Sequence, residues 1–475
     1  MGPRATGLIF LSVWTLSCAT YRPAPLNPAA TAHEFASRTL SGRDLCSYLR
    51  ANLTHPLPGC PPASWDLASL TLAAFLYSPD LAVAEAKLQI AEATIITAGQ
   101  RPNPTIGIGP AYTASAAPAL APWAIGAAEL NFPIETAGKR HDRITQAEHL
   151  ADAAALGVGE TAWHVRSAIR IALLNHLIAQ RQYKLAQAYE SASELTAQLI
   201  QERVIAGSAS GPGLNLALAN LAGARLKMAQ AQSQVPETLD ALAEALGLPV
   251  EHVAGVAFTW PTLEHLPAEA FLTSDGVQQL ALLNRIDLRR MLAQYAAADE
   301  ALRLEVARQY PDINLGGGYS WEVGENIFQL LPIISLPLMN QNQGPIAEAR
   351  AKRTELAAEF TQLQQGIIAH ADSALTRYRG GLEAYVQASS SAAFSEKRVG
   401  SFQRAIELGD VDALELATTQ LEAAITEQSK LTALDNAQTE LGALEDAVQR
   451  PFENGDLKSF SLPAPPRAPV ARERL

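Results

Sequence analysis

The chain has 475 residues, with 36 Lys and Arg against 48 Asp and Glu and a formal net charge of −12. That balance argues against nucleic acid as a partner; an acidic pore tolerant of cations and a plain solvated surface fit it equally well. No run of eighteen apolar residues follows the N-terminus, so no transmembrane helix is expected.

At the N-terminus, Arg4 precedes a short apolar run from Gly7 to Trp14. The run is too short to span a bilayer, and 1–18 reads as a signal peptide. Thr15-Leu16-Ser17-Cys18 resembles a lipoprotein box, which makes Cys18 the expected lipidation site and a retained residue; cleavage after Ala19 also fits Ser17-Cys18-Ala19. Residues 19–64 form an N-terminal periplasmic extension. It holds Cys46 and Cys60, the latter inside His55-Pro56-Leu57-Pro58-Gly59-Cys60-Pro61-Pro62. In an oxidising compartment an even pair suggests a disulfide, with two free thiols the competing state.

From residue 65 the chain repeats itself, in units 65–246 and 276–450 joined by a connection at 247–275. Ser78-Pro79-Asp80-Leu81 opens a helix reaching Gln100, followed by Pro102-Asn103-Pro104 and strands at about 105–115 and 123–133. The second unit reads Arg285-Ile286-Asp287-Leu288, a helix to Gln309, Pro311-Asp312, and strands at about 313–321 and 328–337. Both second strands end on proline, Pro133 and Pro337. Leu81, Ala84, Leu88, Ala91, Ile95 and Ala98 alternate spacings of three and four. At an offset of 207 the seam becomes Leu288, Met291, Tyr295, Ala298, Leu302 and Glu305. After the strands, Ile346, Ala349, Arg353, Leu356, Phe360, Leu363, Ile367 and His370 match, at an offset of 202, Ile144, Ala147, Ala151, Ala154, Val158, Thr161, Val165 and Ala168. A sustained seven-residue period predicts coiled coil.

Lys139 to Ala206 and Ile346 to Glu407 contain no proline, enough for helices of roughly 90–100 Å. Gly157, Gly159, Gly366, Gly380 and Gly381 are candidate bends. The far turns are 207–213 and 408–411, after which the chain returns over 214–246 and 412–448. Residues 451–475 read as a Pro-rich disordered tail. Each strand is near the 9–11 residues that cross a bilayer at a tilt, and Tyr112, Trp123, Phe132, Tyr319, Trp321 and Phe328 suit its interfaces. Four strands cannot close a barrel, and an open edge in lipid leaves backbone groups unsatisfied at several kcal/mol each. Three subunits give twelve strands. The expected fold is therefore mostly α: long coiled-coil helices with an internal two-fold repeat, and four strands per chain in a membrane β-barrel that other subunits must complete.

Enzymatic chemistry has little support. Gly157-Val158-Gly159-Glu160-Thr161-Ala162 sits inside a helix with no strand before it, so the dinucleotide pattern is empty. The nine His are scattered, with no metal-ligand spacing. No catalytic, cofactor or metal site is expected.

The Pro-Asn-Pro strand start, the doubled strand–Pro–long-helix unit and Ala417-Thr418-Thr419-Gln420-Leu421 together resemble the TolC-type outer-membrane factor family, over roughly 65–452. Glu135-Thr136-Ala137-Gly138-Lys139-Arg140 and Asn340-Gln341-Asn342-Gln343-Gly344-Pro345-Ile346 resemble its CzcC-like heavy-metal efflux branch, and Tyr21-Arg22-Pro23 just after Cys18 resembles the start of lipidated members. The resemblance implies a homotrimer in the outer membrane whose four strands per chain complete a twelve-stranded barrel, a large periplasmic portion built as an α-helical coiled-coil tunnel, and an equatorial band near 247–275. It implies a periplasmic adaptor (membrane fusion protein) and an inner-membrane RND-type pump as partners, and an exported cargo of heavy-metal cations; drug efflux and type I protein secretion remain alternatives. The tips Gly207, Ser208, Gly211, Gly213, Leu408, Gly409 and Asp410 are then the adaptor-docking residues. Asp410, Asp412 and Glu415 lie where the family narrows its entrance, and a trimer would gather each into a ring that favours cations. The acids are one residue earlier than the family's Asp pair, at Asp412 and Glu415 instead of Ala413 and Leu416, a turn of about 100° on the helix. A solvated helix start stabilised by the dipole is the competing reading. A reading from another class is a structural coiled-coil envelope lipoprotein whose strands form a soluble sheet.

Overall fold

A computed structural model describes residues 20–53, 59–112, 123–268, 272–322 and 325–452. Cys18, the signal segment, residues 113–115 of the first expected strand and the tail from 453 lie outside the described residues. The elements are α1 (Pro28–Ser37), α2 (Arg43–Asn52), α3 (Leu67–Tyr77), α4 (Pro79–Ala98), β1 (Thr105–Tyr112), β2 (Trp123–Ile134), α5 (Lys139–Ile205) and α6 (Gly211–Leu246). There follow α7 (Ser274–Asn284), α8 (Ile286–Ala307), β3 (Ile313–Glu322), β4 (Glu325–Ile334), α9 (Gln343–Leu408) and α10 (Ala413–Val448).

The two long helices run 67 and 66 residues, about 100 Å each. Both continue through the glycines expected to mark bends. Gly381 instead permits a close approach: a Cβ there would lie 3.2 Å from the Ala437 Cα on α10. Pro236 sits inside α6 and denies the Gln232 carbonyl its helical donor. Among the described residues no single helix is long and apolar enough to cross a membrane.

Burial follows the heptad seams for most of their length. Leu81 and Ala84 are buried and Leu88, Ala91, Ile95 and Ala98 half-buried; Ile346 to Ile367 are shielded at each seam position. His370 and Ala168, the last members, are exposed, and the α9 stripe continues through Ala371, Ala374 and Tyr378. The α8 seam departs from expectation. After Leu288 its buried residues are Ala297, Glu300, Leu304 and Ala307, rather than Ala298, Leu302 and Glu305. These are the partners of Leu88, Ala91, Ile95 and Ala98 at an offset of 209, not 207. α8 has 22 residues against 20 in α4, so two extra residues slide the register partway along.

The strands form one antiparallel sheet in the order β1-β2-β3-β4. Register puts Ile106 and Ile108 beside Leu130 and Ala128, then Leu130, Phe132 and Ile134 beside Gly317, Leu315 and Ile313. Phe328, Leu330 and Ile334 complete this apolar face. The opposite face carries Thr105, Glu129, Asn131, Asn314, Ser320 and Gln329, together with many glycines and with Leu331 and Ile333 on β4. β4 ends at Ile334 instead of the expected Pro337. Ile334 pairs with Ile313, the first residue of β3, so Ser335–Pro337 have no strand beside them among the described residues.

Sheet and helices meet at a cross-linked joint. The buried Lys139 ammonium donates to the Tyr310 carbonyl at 2.6 Å and to Asp312 Oδ1 at 2.7 Å. The Thr136 amide also donates to Asp312 Oδ1, at 3.0 Å, and its hydroxyl to the Pro311 carbonyl, at 2.7 Å. Arg143 holds Glu135 through both guanidinium nitrogens.

The main core lies at the equator, where α3, α5, α6 and the 247–268 connection meet around Trp65, Leu173 and Leu242. Trp65 pairs with the connection: its amide donates to the Ala257 carbonyl and its carbonyl accepts from Thr259. An ionic group is buried alongside. Glu445, with none of its surface exposed, accepts from Arg166 and faces Arg170 at 3.3 Å. Arg170 also donates to the Gln438 carbonyl and Oε1. Trp163 and Trp260 stack on Arg166 and Arg170. Such a cluster bridges α5 to α10, hence one repeat to the other.

Candidate pore entrance and tips

Both far turns follow from local chemistry. α5 ends where Gly207 takes φ +73°, and the Ser208 amide reaches back to the Arg203 carbonyl at 2.8 Å. Gly serves at such a left-handed cap because it has no Cβ to clash. Ser210 caps α6, accepting from the Gly213 amide, with Pro212 in the first turn. The second turn repeats the solution. Gly409 takes φ +81°, the Asp410 amide donates to the Ala405 carbonyl at 3.0 Å, and Asp412 caps α10. Ile205 and Leu408 project at the tips, 79% and 77% exposed.

Sequence reasoning grouped three acids here, and the structure gives them different employment. Asp412 Oδ1 accepts from the Leu414 amide at 2.7 Å and the Glu415 amide at 3.1 Å, while its other oxygen pairs with Arg203 from the first turn. The Glu415 amide foremost, with Arg203 and the Leu414 amide, holds the Asp412 carboxyl below its usual range despite some desolvation. Asp410 and Glu415 are exposed at the same end. The Asp412–Arg203 pair ties the two helical hairpins together. Its Arg was missed because it lies 209 residues away in sequence, although the repeat itself puts the two turns at the same height. Further ties climb from the tips: Arg398–Glu422 joins α9 to α10, and Arg225 pairs with Glu190 and Glu194 across α5 and α6.

Glu129 was also missed. It occupies the polar face of β2 between Gly107 and Gly318, where alternation read strand by strand marks it as polar-facing. At the other end of the chain, Cys46 and Cys60 are joined as a disulfide with Cα atoms 5.8 Å apart, within the range the bond needs. Among the described residues no three His, Cys, Asp or Glu side chains converge as metal ligands would.

Residues 73–248 match the family described as outer membrane efflux protein. The cobalt-zinc-cadmium resistance protein CzcC of Cupriavidus metallidurans is 28% identical over 236 residues, 49% of this chain and 55% of that protein. The chain thus matches about half the length of this curated relative. Among solved structures, the outer membrane protein VceC from Vibrio cholerae superposes with a TM-score of 0.63 at 17% identity, covering 82% of this chain and 97% of that one. CusC, known in a structure of transmembrane channel formation, gives 0.64 at 18% identity, covering 84% and 96%. At these identities the superpositions establish the fold alone: long helical hairpins carrying a four-stranded antiparallel sheet.

Proposed function

We propose that this chain is the outer-membrane duct of a tripartite efflux system, a passive exit for heavy-metal cations. The observation that carries the reading is the sheet. Among the described residues its four strands have one apolar face, two open edges and no helix packed over them, and they stand on two helices of about 100 Å. Water gives no reason to expose Ile106, Ile108, Phe328 and Leu330 together. Lipid does, provided copies of the chain close the edges. Three copies supply twelve strands, within the observed range of barrels.

The tunnel then crosses the periplasm, and the tips at 207–213 and 408–411 meet a periplasmic adaptor serving an RND-type pump. The similarity to CzcC supports cobalt, zinc and cadmium as cargo. The channel holds no resident ion in this reading; acids at the entrance favour cations in passage. A soluble sheet on a structural lipoprotein leaves the apolar face unexplained.

Deleting the gene should make the cell more sensitive to zinc, cobalt and cadmium, and the intact gene should restore resistance. The protein should fractionate with the outer membrane as a heat-modifiable trimer. Unchanged metal tolerance with new sensitivity to drugs, or a block in protein export, would reassign the cargo within the duct reading. Recovery as a soluble single chain would end it.

A further inference from the structure

The internal repeat relates the strands of the two halves residue by residue. Asn103 aligns with Asp312 at the offset of 209 that governs the ends of α4 and α8. At that offset Thr105 corresponds to Asn314. Thr105 pairs with Asn131, and Asn314 pairs with Ile333. β2 therefore maps onto β4 at an offset of 202, the offset that independently aligns the seams of α5 and α9. Among the described residues the sheet contains one strand joint between repeats, β2 against β3, with Phe132 opposite Leu315 and Pro133 opposite Asn314.

Applying the two offsets to that joint, we propose that β4 of one copy pairs antiparallel with β1 of the next, with Ile334 opposite Ile106 and Ser335 opposite Thr105. This rests on the closed-barrel reading above and deepens it by fixing the register. Three observations agree with it. Ile106 and Ile334 both lie on the apolar face, as pairing requires, whereas a slip of one residue would turn the lipid face of one strand toward the lumen. Gly107 and Gly109 come opposite Ile333 and Leu331, two large apolar residues on the other face of β4. The same glycine pattern on β3 already accommodates Leu331, whose carbonyl sits 2.9 Å from where a Gly316 Cβ would be. Finally, the pairing gives Ser335 a strand partner, which the described residues of the single chain do not. The joint between copies also differs from the internal one in charge. Asn103 replaces Asp312 and Gln341 replaces Lys139, so the ion pair becomes a pair of amides.

The test uses the full chain in outer-membrane fractions carrying Thr105→Cys with Ser335→Cys, oxidised with copper phenanthroline and run without reductant. Within one copy the two positions are three strand spacings apart, about 14 Å, too far for a disulfide. A ladder at two and three chain masses is expected, at least tenfold stronger than for the slipped pairs Thr105→Cys with Ile333→Cys or with Pro337→Cys. Single-Cys variants set the background. Stronger linkage in a slipped pair would overturn the register and leave barrel closure standing. No linkage in any pair, from a particle whose native mass is three chains, would overturn β1–β4 pairing but not assembly. No linkage together with a single-chain mass would remove the closed-barrel reading as well.

Discussion

Gly442 lies directly beneath the Arg170 guanidinium, so close that a Cβ there would overlap Nη1. Arg170 cannot swing aside freely, because Gln438 and Glu445 hold it in a fully buried site. Gly442→Ala should therefore destabilise the protein by about 1–3 kcal/mol, although Ala favours the helix by about 1 kcal/mol. Gly157, with nothing near its absent Cβ, should behave oppositely: Gly157→Ala should stabilise by about 0.5–1 kcal/mol. Urea midpoints of the two variants should move in opposite directions; shifts of the same sign would dissociate the effect from Arg170.

Removing the acid of that cluster is the harsher change. Glu445→Ala leaves Arg166 and Arg170 buried with their shared carboxylate gone, a loss of about 3–5 kcal/mol by analogy with broken buried pairs. Replacing all three by Leu or Met should recover much of it. Thermal scans comparing the single and triple variants test this, and a triple variant no better than the single would contradict it.

Asp312 makes stability depend on acid pH. Burial pushes its carboxyl up, but Lys139 and the Thr136 amide outweigh that and hold it below the usual range. A depressed carboxyl stabilises the folded chain above its unfolded pKa of about 3.9, and the contribution disappears as pH falls through the lower folded value. Because Asp312 is nearly half exposed, the contribution is about 1 kcal/mol or less. The stability gap between the native protein and Asp312→Asn should be constant from about pH 5 upward and close below about pH 4. A gap that widens on acidification would reverse the assignment.

At the tips, Arg203→Ala removes only the tie between hairpins, whereas Asp412→Ala removes the tie and the α10 cap. The cap alone is worth about 1 kcal/mol. Both variants should raise resting conductance in planar bilayers, Asp412→Ala more. Since Asp412 is neutralised locally by Arg203, the change in cation preference should come from Asp410→Asn with Glu415→Gln. Unaltered ion selectivity in that double variant would reduce these acids to a solvated helix start.

Cys46→Ser with Cys60→Ser opens a short loop near α2, and the chain-entropy account assigns about 3 kcal/mol to such a closure. The double variant should expose 43–60 to protease at temperatures where the native protein resists cleavage. Equal cleavage would mean the bond constrains nothing that was not already ordered.

The seams of α4, α5 and α9 were legible because a seven-residue period with small residues has few other uses in water. The α8 seam was not, since a two-residue insertion leaves the period intact and changes only its phase; Leu302 and Ala297 are equally plausible on paper. Pro337 misled by matching Pro133, when strand ends are set by which backbone lies alongside. Arg203 beside Asp412 and the Arg166–Glu445–Arg170 group depend on contacts across more than two hundred residues. Nothing local in Arg166 distinguishes it from an exposed helix Arg until α10 is laid beside it.

The exchange of Asp312 and Lys139 for Asn103 and Gln341 gives the wall a grain. In the proposed ring of three chains, charged joints within a chain would alternate with neutral ones between separate chains. Under load it should part along three seams spaced evenly around it, leaving four-strand staves whole. The same asymmetry orders assembly in time: each stave can set its own internal joint first, and the soft joints are left to find one another last, when a wrongly registered neighbour can still be released.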